Sequence, residues 1–188
     1  MKPLRADALR NRQKILDTAQ RMCAKHGLGI SVDDIAHEAE IGIGTLYRHF
    51  PTKHALIAAL AGAYFEQFAD RAEALAVSPH PAAALRELIE IMAKESANKR
   101  DMLEALRGSE WIDSPELEPL RTRYRRAISK LLGNAQRAGE VRDDISFADL
   151  SALIRGLFWS DLDIRSRIRL IGVLFDGLRP RGRGEGSP

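Results

Sequence analysis

The sequence predicts an all-helical fold. Three observations lead there: apolar residues recur at spacings of three and four along most of the chain, no segment alternates with period two for long, and aromatic residues make up only 6% of a composition led by Ala, Leu and Arg. At 188 residues the chain is near the upper edge of one domain's size, so the expectation is one compact body with a small appended module, about nine helices in all.

The first helix is expected over about Ala6 to His26, with Ile15, Leu16, Ala19, Met22 and Cys23 at helical spacing and Gly27 as the residue just past its end. Ser31 then opens a second helix. Asp34 follows three residues on in a capping-box arrangement, and Ile30 and Ile35 stand at the two ends of a hydrophobic staple. This helix stops near Glu40, where Gly42 and Gly44 lower helix propensity and permit a turn. A third helix carries Thr45 to His49. Its outward side presents Thr45, Arg48 and His49, with Tyr47 nearby, and these hydroxyl, guanidinium and imidazole groups suit phosphate oxygens and base edges in a major groove. Two short helices joined by a tight turn, with that chemistry on the second, form a helix-turn-helix. Leu46 and Phe50 read as core. Tyr47 also qualifies as a packing residue, and Lys53 as an ordinary solvated lysine.

Thr52 caps a long fourth helix through Leu56, Leu60, Tyr64, Phe65 and Phe68 to about Leu75, on the order of 35 Å at roughly 1.5 Å per residue. Ser78-Pro79-His80-Pro81 breaks it, and Pro81 suits the first position of the next helix, striped by Leu85, Leu88, Ile89, Met92 and Ala93. Asp101 with Glu104 marks a further helix ending at Gly108, and Ser114-Pro115 opens another that carries Leu117, Leu120, Tyr124, Ile128, Leu131 and Ala135 and closes at Gly139. Ser146 with Asp149 caps a helix too apolar for a single buried face, on which Ala148, Ala152 and Gly156 form a smooth column. The last helix, near Ile164 to Leu178, spreads apolar surface beyond one stripe, and such surface needs a partner. These two helices therefore predict a homodimer, with Ala152, Leu153, Gly156 and Leu157 from one and Ile171, Leu174 and Phe175 from the other at its interface. The tail from Arg179 has no means of burying anything and is expected to be disordered.

The segment from about Arg10 to Leu60 resembles the DNA-binding domain of the tetracycline-repressor (TetR) family of bacterial regulators. Ile15, Ala19, Gly27, Ile35-Ala36, Gly44-Thr45-Leu46-Tyr47, His49-Phe50, Lys53 and Leu56 carry the likeness. The family usually has Gly where this chain has Glu40, a small hydroxyl residue where it has Gly42, and often a polar or basic base-reader where it has Ile43, which could touch a thymine methyl. Glu40 is expected to point away from the phosphates. The resemblance implies a DNA-binding module over residues 1–50, in which Ser31, Gly42, Ile43, Gly44, Thr45, Tyr47, Arg48, His49 and Lys53 face DNA. It implies a body over 51–178 that encloses a pocket for a small, mainly apolar effector and dimerises, followed by the basic tail, 179–188. Candidate pocket residues are Phe65, Phe68, Met92, Met102, Trp111, Tyr124 and Phe158, although each taken singly reads better as core; Trp111 stands out because it lies on an irregular segment and its N–H needs a partner. The implied function is that of a repressor that occupies a palindromic operator as a dimer and is released by the effector. The alternative is a helical protein that binds a small molecule or partner without regulating genes.

A modest basic excess, no argument for DNA by itself, coincides with the helix-turn-helix. Residues 1–60 hold nine Lys or Arg against six Asp or Glu, residues 61–178 seventeen against nineteen, and four of the five histidines precede residue 61. Other chemistries find little support. Cys23 and His26 lie three apart on one helix, but two ligands do not make a zinc site and no second pair follows. Gly42-x-Gly44 follows a helix and lacks the third glycine of a dinucleotide loop, and no nucleophile motif is present, so neither an enzyme nor a cofactor is expected. The longest apolar run, near Ala55 to Ala63, falls far short of the roughly 18 to 20 residues that cross a bilayer, and no signal layout opens the chain; a cytoplasmic protein is expected.

Overall fold

A computed structural model describes residues 3–98, 114–158, 160 and 162–180. The described residues form eight α-helices and no strand. They fall into two compact units: residues 1–64 with 98–118, and residues 65–97 with 119–188.

In the first unit, α1 (Pro3–His26) starts earlier than its apolar stripe, which supplies buried Ile15, Leu16, Ala19 and Cys23. It ends as expected at Gly27, whose φ of 68° is the left-handed conformation that glycine adopts without steric cost. After a short 3-10 turn, α2 (Val32–Glu38) begins at Ser31, whose hydroxyl accepts from the Asp34 N–H at 3.0 Å. Ile35, Ala36 and Ala39 face the core.

The turn that follows departs from the expectation. It is made by Glu40, at φ 50°, while Gly42 and Gly44 adopt no left-handed conformation. The Glu40 N–H donates to the His37 carbonyl and the Ile41 N–H to the Ala36 carbonyl, both at 2.9 Å, so α2 closes in a Schellman motif with glutamate in the place glycine usually takes. Gly42, in extended backbone, is instead the N-cap of α3 (Ile43–His49), which starts two residues before Thr45 and holds Gly44 inside it. Leu46 and Phe50 are buried, as expected of core residues. Thr52 caps α4 (Lys53–Leu75), accepting from the Ala55 N–H at 3.0 Å, and Leu56, Ile57, Leu60 and Ala61 complete this unit's core.

In the second unit, the end of α4 contributes buried Phe68, Ala69 and Ala72. Pro81 is the first residue of α5 (Pro81–Asn98), where Leu85, Leu88, Ile89, Met92 and Ala93 are buried. The expected helix between Asp101 and Gly108 lies outside the described residues. The 3-10 turn at Pro115–Leu117 belongs to the first unit; α6 (Glu118–Arg137), nearly all of it in the second, packs through Ala127, Ile128, Leu131, Leu132 and Ala135 and is followed by Gly139 at φ 69°. Arg123 of α6 reaches Asp70 and Glu73 of α4 at 2.6 Å each, and the Asn134 amide donates to the Ala76 carbonyl at 2.8 Å. The Ser146–Asp149 box forms reciprocally: the Ser146 N–H donates to the Asp149 carboxylate at 2.9 Å and the Asp149 N–H to the Ser146 hydroxyl at 3.2 Å. It opens α7 (Phe147–Phe158), and Asp163 caps α8 (Ile164–Gly177) by accepting from the Ser166 N–H at 2.7 Å.

Candidate DNA-binding surface, effector region and dimer face

In α3, Leu46 points inward and holds the helix on the core, which turns Ile43, Gly44, Tyr47 and Arg48 outward. Ile43 is 38% exposed and Tyr47 44% exposed, unusually open for large apolar and aromatic groups. Thr45 and His49 are half-buried on the flanks of this face. Gly42 and Gly44 are open, and a Cβ at either would meet nothing, so nothing within the chain demands glycine there. Ser31 spends an acceptor lone pair on its cap; its hydroxyl proton is a separate donor.

The sequence presents Lys53 as a phosphate ligand or a solvated lysine. The structure gives it an internal role as well: its Nζ donates to the Ile30 carbonyl at 2.7 Å, linking the first turn of α4 to the approach to α2. Lys53 also lies close enough to Cys23 to oppose the burial that pushes that thiol up from its ordinary value. Glu40 accepts from Lys14 of α1 at 3.0 Å, and that hydrogen bond, with the ammonium's charge, holds its carboxyl below the ordinary range. At the other end of α3, the Arg12 guanidinium lies 5.1 Å from the centre of the Phe50 ring. Sequence spacing gave no sign of these contacts, since they join residues far apart on different helices. Nor did it single out an open cleft of about 380 Å³ lined by Met22, His26, Ile30, Asp34, His37 and Glu38.

Among the effector candidates, Phe65 and Tyr124 meet, ring centres 5.5 Å apart and tilted by 58°. Burial pushes the Tyr124 hydroxyl well above the ordinary phenol value, opposed by the nearby Arg155 charge. Phe68, Met92 and Phe158 lie in the unit's core, while Met102 and Trp111 lie outside the described residues. On the predicted dimer face, Ala152, Leu153 and Gly156 of α7 are exposed, Leu157, Leu174 and Phe175 are half-buried, and Val173 is open as well. Ile171 is a correction: it is wholly enclosed by the chain's own core, so it can shape that face only from beneath. Among the described residues no three His, Cys, Asp or Glu side chains form a metal-holding group, and no helix is long and apolar enough to cross a membrane.

A capped helix, a tight turn and a short helix with its basic and aromatic side chains turned outward define a helix-turn-helix DNA-binding regulator, here joined to a helical body. The chain belongs to the TetR family of transcriptional regulators. Residues 15–60 match the family of bacterial regulatory proteins of tetR type, and residues 80–180 match the C-terminal domain of SbtR-like transcriptional regulators. The fold is similar to the TetR transcription regulatory protein from Mycobacterium vanbaalenii, with a TM-score of 0.73 and 35% identity over 94% of this chain and 99% of that one. It is similar also to the regulator SCO0520 from Streptomyces coelicolor, with a TM-score of 0.70 and 34% identity over 91% and 99%. The HTH-type transcriptional regulator SAB2452 of Staphylococcus aureus (strain bovine RF122 / ET3-1) shares 47% identity over 51 residues, which is 27% of this chain and only 28% of that regulator. The family is one of DNA-binding regulators, not of enzymes.

Proposed function

We propose that the protein is a cytoplasmic repressor that occupies a palindromic operator as a homodimer and leaves it when a small, mainly apolar effector binds. Residues 1–50 bind the DNA, residues 51–178 form the effector-binding and dimerising body, and 179–188 are a basic tail. The observation that carries this reading is the outward face of α3, where Tyr47 and Arg48 stand exposed beside open backbone at Gly42 and Gly44. Bare backbone beside a cationic side chain favours close approach to phosphate, and arginine reads guanine edges bidentately. Tyr47, Ser31 and Lys53 mainly contact phosphates; Arg48, Thr45 and Ile43 read bases, with His49 at the edge of the face. The exposed Ala152, Leu153 and Gly156 support self-association, because small residues on an apolar helix let a second copy approach closely. The Phe65–Tyr124 pair supports an apolar effector with a hydrogen-bonding group.

Fluorescence anisotropy with a palindromic duplex, selected from random DNA by the protein itself, tests the reading. Nanomolar, salt-dependent binding that a scrambled duplex does not share is expected. Equal affinity for both duplexes would defeat it.

A further inference from the structure

We propose that Lys14 and Arg12 of α1 are positioning residues for the recognition helix, Lys14 acting through Glu40 at its entrance and Arg12 through Phe50 at its exit. The inference rests on the reading of α3 as the DNA-reading element. At seven residues, α3 is well below the roughly 12 to 15 that an isolated helix needs, so its seat is set by Leu46 beneath it and by whatever holds its ends. Neither cap uses a side chain: Gly42 makes no side-chain cap bond, and at the exit the Phe50 N–H donates to the Leu46 carbonyl at 2.8 Å as the chain leaves in extended backbone.

What holds the entrance is Glu40. Its left-handed backbone turns the chain into α3, and its side chain returns to Lys14, 26 residues away, at 3.0 Å. Glycine would make the same turn without strain and without a side chain; glutamate accepts the strain and gains a cationic partner on a neighbouring helix. At the exit, the Phe50 ring is 2% exposed and covered by the Arg12 guanidinium. Arg12 lies three and four residues before Ile15 and Leu16, at the end of the same buried stripe, while Lys14 stands on its flank. Two cations of one helix, Arg12 in line with that stripe and Lys14 beside it, therefore contact the residues at both ends of α3. Because Lys14 is engaged by a carboxylate, its charge serves the seating of α3 and not the phosphate backbone. Losing either contact would let α3 shift in the groove, which penalises base readout more than phosphate attraction.

The test uses the full chain, a duplex it selects from random DNA and a scrambled duplex, with anisotropy read across salt and thermal unfolding alongside. Glu40→Gln and Lys14→Met should each lower the selected-to-scrambled affinity ratio about 1.5- to 5-fold, the worth of an exposed ion pair, with an unchanged salt slope. Exchanging the pair (Lys14→Glu with Glu40→Lys) should restore the ratio, as should Lys14→Arg. Arg12→Met should lower it by a similar factor, and Arg12→Lys should recover part. A salt slope reduced by about one, with both duplexes weakened alike, would make Lys14 an ordinary phosphate ligand and overturn the proposal. So would an unchanged ratio, or a loss that follows melting temperature and resists the exchange. If the unmodified chain selects no sequence, the recognition reading itself fails; if it selects one and the variants do not discriminate, only the positioning role fails.

Discussion

The ammonium of Lys53 donates to the carbonyl of Ile30 at 2.7 Å across 23 residues of sequence, fastening the start of α4 to the residue that precedes the Ser31 cap. One side chain thus fixes the entry to the helix-turn-helix and the first turn of the helix after it. Lys53→Ala should therefore lower stability, by about 1 to 2 kcal/mol in urea unfolding, and weaken all DNA sequences together. Arg48→Ala should leave stability nearly unchanged, cost about 1 to 3 kcal/mol in binding and relax one base position. Indistinguishable binding profiles for the two variants would refute the division of labour.

Glu40 tests the backbone directly. Because φ is 50° there, Glu40→Gly should melt higher than Glu40→Ala by about 2 to 4 °C, although both lose the Lys14 contact. Equal melting temperatures by calorimetry would mean that the left-handed conformation carries no strain.

Two neighbouring phenylalanines separate core from candidate pocket. Phe68 is wholly buried, so Phe68→Ala should cost about 3 to 5 kcal/mol of folding stability in urea. Phe65 is half-buried against Tyr124, and its truncation should cost markedly less. Similar losses would place Phe65 in the core and remove it from the effector site.

Gly156 is exposed, and a Cβ there would meet nothing within the chain. Gly156→Glu should leave the fold intact but set a charge against a second copy, giving monomers by light scattering and loss of operator binding, since two half-sites about 34 to 36 Å apart need linked readers. A monomeric unmodified protein at micromolar concentration would end the dimer proposal.

Several carboxylates are held below their ordinary values: Asp149 by the Ser146 hydroxyl and then its N–H, Asp163 by the Ser166 N–H, and Glu73 by Arg123. A depressed carboxyl contributes stability that is fully present above its unfolded value and is lost as pH falls through the folded one. Melting temperature should accordingly hold above about pH 5 and fall steadily below about pH 4, with Asp149→Asn flattening part of the fall. An acid limb of the same steepness in that variant would show that its cap does not contribute.

Helix boundaries were legible wherever a local signal sets them: Ser31, Thr52, Pro81 and Asp149 act within a turn of their own position, and Gly27 and Gly139 carry the conformation their type allows. The turn into α3 was not legible, because Glu40 has no intrinsic preference for φ above zero; the Schellman hydrogen bonds impose it. The candidate DNA face could be read from residue types, yet the contacts of Arg12, Lys14 and Lys53 could not, being set by how helices meet. Ile171 shows the same limit: an apolar stripe does not say whether its neighbour is the chain itself or a copy.

Cys23 is the chain's single thiol, and at 2% exposure it is sealed among the helices of the N-terminal unit. A thiol-reactive dye therefore cannot reach it without an opening event in that unit, and burial keeps the nucleophilic thiolate scarce. The protein consequently carries its own clock for opening: the labelling rate counts every excursion that uncovers the core of the N-terminal unit, in a chain with no second thiol to confuse the count.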